Sequence, residues 1–351
     1  MNSQIPRIEI EPGYSISRII KGGWHLAGGH GTVDKKQAIE DMRAFVEAGI
    51  TTFDCADIYT GVEELIGNFI SQYKEAFASG DLPPIQIHTK YVPDYDRLAA
   101  LTKRDTLAVI DKSLVRLGVE CLDMVQFAWW NYAIPGHLET ALHLTELRKA
   151  GKIRYLAVTN VDAAHLRELL EAGVEVVANQ VQYSVLDHRP EGELVKLARE
   201  HGVWILCYGV VAGGFLNDRY LGVPDPEPPL ENRSLVKYRL IIDEFGGYDL
   251  FQKVLHELKE IADKHNVSIA HVAMQYILQK PRVGGIIIGA RNVDHLQSFQ
   301  ALHRLLLDDE DLQQIREVTA TAQGPSGPVY ELEGDKESKH GRIMRYNLNE
   351  Q

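Results

Sequence analysis

The 351-residue sequence is short of cysteine, of basic charge and of long apolar runs. Its three cysteines, Cys55, Cys121 and Cys207, show no metal-ligand spacing. So small and odd a set fits a reducing compartment rather than a disulfide framework. No run of about 18 apolar residues occurs, which excludes a membrane-spanning helix. Met1 to Arg7 lack the basic-then-apolar pattern of a secretory leader. The 49 acidic residues outnumber the 37 basic ones, giving a formal charge of −12 with no basic cluster to offset it. That balance argues against a nucleic-acid surface. What remains is ordinary, at 45% hydrophobic and 25% charged residues, with enough chain to bury a large core. The expectation is a cytoplasmic globular protein, a monomer or small homo-oligomer, with neither nucleic acid nor membrane as partner.

What is present is an alternation of short apolar strands and amphipathic helices. Strands are predicted at 17–20, 51–54, 85–90, 122–128, 153–159, 174–180, 203–208 and 285–288. Between them Ala38, Ile39, Met42, Phe45 and Val46 fall at helical spacing, and glycines such as Gly49, Gly118 and Gly151 stop the helices. About eight repeats without a composition shift predict a (β/α)8 TIM barrel over residues 18–322. A doubly wound open sheet is the second choice. Residues 1–17 read as a polar, irregular N-terminal extension and 323–351 as a polar C-terminal tail with no core element. The tail either folds across the barrel mouth through Tyr330, Met344 or Tyr346 or stays without order. Phe215 to Gly247 reads as a long excursion, of a length that usually serves a site or is disordered.

In such a barrel, ligands sit at the C-terminal strand ends. Asp54 ends one strand, Tyr59 follows in the next loop, and Lys90 ends another. A carboxylate, a phenol and an ammonium so placed suit proton transfer, because a cation beside a phenol lowers its pKa from about 10. Ala128, Asn160, Gln180, Tyr208 and Gly289 fall at further strand ends. A glycine-rich loop, Gly22 to Gly31, follows the first strand, but it lacks phosphate-cradle spacing and is a weak signal alone.

Several segments together resemble the aldo-keto reductase superfamily, from about Ile19 to Leu302. They are Phe53-Asp54-Cys55-Ala56-Asp57-Ile58-Tyr59, His88-Thr89-Lys90, Gly151-Lys152-Ile153-Arg154 to Asn160, Asn179-Gln180-Val181-Gln182-Tyr183 to Pro190, and Ile286 to Arg291. The resemblance implies a nicotinamide cofactor in the barrel mouth, most often NADPH. Tyr208 would stack on the nicotinamide, Gln180 and Asn160 would hold its carboxamide, and Gly23 and Trp24 would line the ribose end. Gly213 would pass close to the pyrophosphate, Gly289 belongs to the cofactor loop, and Arg291 would face the 2′-phosphate. The implied reaction is hydride transfer to an aldehyde, ketone or sugar carbonyl, or the reverse. Tyr59 would be the proton donor, with Lys90 and Asp54 behind it. No metal is implied.

The sequence departs from that family at one telling place. The histidine that usually follows the fourth-strand aspartate by five residues is Ala128 here. Its loss would remove roughly 1–3 kcal/mol of orientation and polarisation, or about tenfold to hundredfold in rate. Three readings follow. The enzyme still reduces carbonyls with water or Asn131 in the gap; its chemistry has drifted to alkene reduction, dehydration or epimerisation; or it is an NADP(H)-sensing interaction protein. His25 and the deeper His88 are further substitutes. His25, Ala128, Trp129, Trp130 and Asn131 are the expected substrate pocket. His295 and Phe299 replace the usual Gln and Asn at the adenosine, and Gly209-Val210-Val211 replaces Ser-Pro-Leu.

Overall fold

The strands form where the alternation of apolar residues puts them, to within about two residues. The structure, a computed structural model, describes residues 5–27, 33–289, 292–302 and 304–349. Its strands are β1 (Arg7–Glu11), β2 (Tyr14–Ser17), β3 (Ile19–Gly22), β4 (Thr52–Asp54), β5 (Gln86–Tyr91), β6 (Leu122–Phe127), β7 (Ile153–Thr159), β8 (Val176–Gln182), β9 (Trp204–Tyr208) and β10 (Val283–Ile288). The helices are α1 (Lys35–Glu47), α2 (Val62–Gln72), α3 (Lys74–Ser79), α4 (Lys103–Leu117), α5 (His137–Lys149), α6 (Ala163–Glu171), α7 (Glu193–Glu200), α8 (Arg233–Phe245), α9 (Tyr248–His265), α10 (Ile269–Leu278), α11 (Leu296–Leu302), α12 (Asp309–Thr319) and α13 (Glu331–Gly334). Strands β3 to β10 are parallel and close into one ring, with β10 hydrogen-bonded to both β9 and β3. This is the expected (β/α)8 TIM barrel. No helix among the described residues is long and apolar enough to cross a membrane.

The helices pack their apolar stripes on the outside of this ring, and α1 buries the five residues its spacing marks. Asp34 caps α1 by accepting from the backbone of Lys36 and Gln37, and Thr102 and Asp105 form a capping box at α4. The excursion after β9 is more ordered than its composition suggests. Helix α8 lies inside it, capped by Asn232 and burying Leu235, Tyr238, Ile241, Ile242 and Phe245. These residues recur every three or four positions, so the period is helical.

Residues before β3 are not irregular. β1 and β2 pair antiparallel, and Ile10, Tyr14 and Ile16 pack with Ile20, Met124 and Leu206 in one cluster. This hairpin plugs the N-terminal end of the barrel. The Tyr14 hydroxyl meets His88 Nε2 at 3.0 Å. Burial pushes the His88 imidazole down to about 4, with Asp54 opposing. His88 is therefore a packed, neutral histidine beneath the mouth.

The C-terminal tail is anchored across the mouth. Glu333 is 1% exposed and accepts two hydrogen bonds from Arg189, at 3.0 and 3.3 Å, while Arg189 also grips Asp187 at 2.7 and 2.9 Å. Further along, Asp94 accepts from the backbone N–H of Leu348 and of Asn349. Tyr346 packs edge-on against Trp130, with centroids 5.0 Å apart. The tail is an ordered roof. Of the two alternatives its sequence leaves open, this is the fold across the mouth, and its polar anchoring groups are buried and paired.

Burial alone would raise the Glu333 carboxyl, but Lys237 and Arg189 overcome it and hold it at about 2, against an ordinary 4.5. Glu333→Ala should leave Arg189 buried with one partner fewer and cost roughly 3–5 kcal/mol in urea denaturation. A carboxyl depressed in the folded state stabilises above its unfolded pKa. The difference between wild type and variant should therefore be full above about pH 4.5 and shrink as pH falls toward 2.

Candidate active site

Asp54 ends β4, 3% exposed. Its Oδ2 accepts from Lys90 Nζ at 2.6 Å, and Lys90 also donates to the Cys55 carbonyl at 3.0 Å. Its Oδ1 accepts from Gln126 Nε2 at 2.9 Å and from Gln180 Nε2 at 2.6 Å. Gln180 Nε2 also donates to Gln126 Oε1 at 2.7 Å. Register explains the meeting. Lys90 on β5 lies beside Gln126 on β6, and neighbours in a parallel ladder face the same way.

Tyr59 reaches the same place from the loop after β4. That loop is fixed to the next strand by the Cys55 and Asp57 N–H groups, which donate to the His88 and Lys90 carbonyls. Lys90 Nζ lies 5.2 Å from the Tyr59 ring centre, and the Trp24 ring lies 5.2 Å from it on another side. The carboxylate, ammonium and phenol expected to work together are thus brought together. Burial works against the Lys90 ammonium, but Asp54 and then Tyr59 outweigh it, so Lys90 stays charged. The expected lowering of the Tyr59 pKa is not the net outcome. Burial raises the phenol above 10.0; Lys90 pulls it down and Asp54 adds to the rise.

Across the mouth, the Tyr208 hydroxyl donates to Asn160 Oδ1 at 2.9 Å. Asn160 sits just past β7 in the left-handed region, φ +60°, a conformation asparagine tolerates. Between these groups lies a cavity of about 560 Å³, lined by Tyr59, Lys90, Gln180, Tyr208, Gly213 and Gly289 among others. Gly213 has φ +65°, and a Cβ there would come within 2.6 Å of the Tyr238 ring. A Cβ on Gly289 would strike the His25 ring at 2.3 Å, so His25 lies over that glycine and also lines the cavity.

Some expected residues are placed differently. Gly23 packs beneath the cavity, where a Cβ would meet Val62 and the Asp54 carbonyl oxygen; Gly22 is the one that lines it. Asn131 does not fill the space left by Ala128. Its amide donates to the Tyr95 hydroxyl and its Oδ1 accepts from Ala133 N–H. Ala128, Trp129 and Trp130 do line the cavity, but both indole N–H groups are engaged, on the Asn131 and Ile134 carbonyls and on the Pro93 carbonyl. Arg291 lies outside the described residues.

Gln126, which holds Asp54 from behind, and the lining residues Arg233 and Lys237 escaped the sequence reading. Gln126 was one polar residue inside an apolar strand, with the same inward parity as Lys90, and that parity was the available signal. Arg233 and Lys237 come from α8. Arg233 sits over Trp24 with its guanidinium 5.7 Å from the ring, and Lys237 Nζ lies 5.0 Å from the Tyr208 ring.

The model of the aldo/keto reductase family matches residues 18–320. The chain belongs to the aldo-keto reductase family. It is 27% identical over 334 residues to aldo-keto reductase str7 of Strobilurus tenacellus, covering 91% of this chain and 89% of that protein. It is 24% identical over 324 residues to the NADH-specific methylglyoxal reductase of Escherichia coli, covering 87% and 95%. The crystal structure of the thermostable aldo-keto reductase Tm1743 with the inhibitor epalrestat superposes with a TM-score of 0.69 at 25% identity, covering 89% of this chain and 99% of that one. Membership of this oxidoreductase family makes the chain an enzyme acting with a nicotinamide cofactor on small carbonyl compounds.

Lys90→Met would strand Asp54 in the barrel with only two amides for partners. We expect a loss of roughly 3–5 kcal/mol by urea denaturation. The double variant Asp54→Asn/Lys90→Met, which removes both charges, should be more stable than Lys90→Met alone.

Proposed function

We propose that this aldo-keto reductase uses NADP(H) to reduce the carbonyl of a ring-bearing, largely apolar aldehyde or ketone, with Tyr59 as proton donor. The observation that carries the reading is the convergence of Tyr59, Lys90 and Asp54 on the cavity that also holds Tyr208. The residues fit the cofactor. Gly213 and Gly289 lie in the cavity wall and put no side chain between a ligand and the backbone there. Among the described residues, the Asn160 amide nitrogen has no partner, while Gln180 has both amide hydrogens engaged and its oxygen left to accept. One donor and one acceptor suit a carboxamide. Arg233, Lys237 and Arg345 line the cavity and suit phosphates.

The bound reduced cofactor would supply the hydride. Tyr59 donates its proton to the carbonyl oxygen as charge develops there, and Lys90 stabilises the phenolate left behind. Asp54, held by Gln126 and Gln180, keeps Lys90 charged and aimed. The reverse reaction needs the phenolate first. The substrate end is walled by Trp24, Trp129, Trp130, Ile58 and Val92. With both indole N–H groups of Trp129 and Trp130 engaged, a sugar's hydroxyls would lose water there without replacement, at roughly 1–3 kcal/mol each. That wall favours rings and apolar chains over polyols.

Reduction of aromatic aldehydes and ketones by NADPH, followed at the reduced-nicotinamide absorbance, tests the reading. Tyr59→Phe should lower turnover at least a hundredfold while NADPH binding by fluorescence stays within about twofold. Because burial holds Tyr59 protonated, kcat for reduction should stay flat through neutral pH and fall only as pH rises past about 10. Turnover undiminished in Tyr59→Phe overturns the assignment.

A further inference from the structure

With alanine at 128, the wall beyond β6 offers no imidazole to the carbonyl oxygen, and the neighbouring donors are engaged elsewhere. Asn131 faces Tyr95, Gln126 faces Asp54, and the Trp129 and Trp130 indoles face backbone carbonyls. A hydroxyl without a hydrogen-bond partner among the described residues comes from the roof instead. Tyr330, from the C-terminal tail, lines the cavity together with Tyr59, Lys90 and Ala128. We propose that Tyr330 is a catalytic residue that donates a hydrogen bond to the substrate carbonyl oxygen, from the roof, in place of the histidine missing at 128. The proposal rests on the carbonyl-reductase reading above.

The placement is built rather than incidental. The Tyr330 ring packs against the Trp130 ring with centroids 6.3 Å apart. A Cβ on Gly334 would lie 3.6 Å from the Trp130 carbonyl oxygen. Segment 330–334 therefore lies along the loop that Ala128 opens. Tyr330 has φ +65°, a left-handed conformation that costs a bulky residue on the order of 1 kcal/mol or more and persists only where surroundings enforce it. The enforcement is the Glu333 carboxylate, three residues on, gripped by Arg189. The Gly334 N–H also donates to the Tyr330 carbonyl at 2.9 Å.

The Tyr330 hydroxyl has no hydrogen-bond partner among the described residues. Burial first, then Glu333, Tyr346 and Tyr59, hold this phenol well above its ordinary 10.0. It is therefore a neutral donor through the whole working range. The division of labour follows. The proton that ends on the alcohol oxygen leaves Tyr59; the Tyr330 O–H stays intact and only stabilises negative charge as it develops.

Tyr330→Phe keeps the ring and removes only the donor. Two readouts separate this proposal from the reaction class. One is kcat and KM for NADPH-dependent reduction of benzaldehyde. The other is the Kd of benzoate for the NADP⁺ complex, since benzoate puts a charged oxygen where the alkoxide forms. We expect kcat to fall about tenfold to hundredfold with KM little changed, and benzoate to bind roughly tenfold more weakly, the scale of one lost donor to a charged oxygen. Thermal stability and NADP⁺ affinity should match wild type. Adding Ala128→His to Tyr330→Phe should restore part of the lost kcat. If wild type reduces no carbonyl, yet benzoate binding still weakens in Tyr330→Phe, the donor role stands and the reaction class is wrong. Benzoate affinity unchanged in Tyr330→Phe overturns the proposal whatever the turnover.

Discussion

Asp54 and Lys90 meet at 2.6 Å inside the barrel, 3% and 5% exposed. Two charges so far from water cost several kcal/mol each to desolvate, and their mutual attraction offsets this only if the remaining lone pairs and protons are also satisfied. The barrel meets that condition with side chains from four strands. β4 supplies the carboxylate, β5 the ammonium, and β6 and β8 the two amides of Gln126 and Gln180. Closure of the ring puts those strands in register. Loss of any one partner leaves a buried charge short of a hydrogen bond, so the pair holds the strand ends as firmly as the strand ends hold it.

The rest of the mouth is arranged around that charged floor. Tyr59 is a neutral acid set against Lys90, and its own burial keeps it protonated. Farther out the walls carry two chemistries. Asn160, Gln180 and Lys237 supply amides and a cation, Trp129, Trp130, Ile58 and Val92 supply rings and aliphatic groups, and Arg233 packs on the Trp24 ring. A dinucleotide with a carboxamide and phosphates matches the first set, and an apolar carbonyl compound matches the second.

The barrel and its strand-end residues were legible because both rest on local periodicity and on side-chain parity, which survive without coordinates. Gln126 was missed because a single glutamine in an apolar strand is ambiguous until its ladder partner is known to be Lys90. Helix α8 was hidden by the Pro-rich stretch before it, although Leu235, Tyr238, Ile241 and Ile242 carry the helical period. The tail was hardest to read. Glu333 lies far along the chain from Asp187 and Arg189, and nothing near Glu333 in sequence announces that its partner is a buried arginine. Asn131 was assigned to the cavity on proximity to Ala128 alone, whereas the loop turns its amide toward Tyr95.

The hairpin of β1 and β2 has a bearing on traffic. With Ile10, Tyr14 and Ile16 stoppering one end of the ring, the barrel is a cup rather than a tube. Everything enters and leaves by the rim, beneath the C-terminal roof. Of two guests sharing such a vessel, the one seated deeper has to arrive first and depart last.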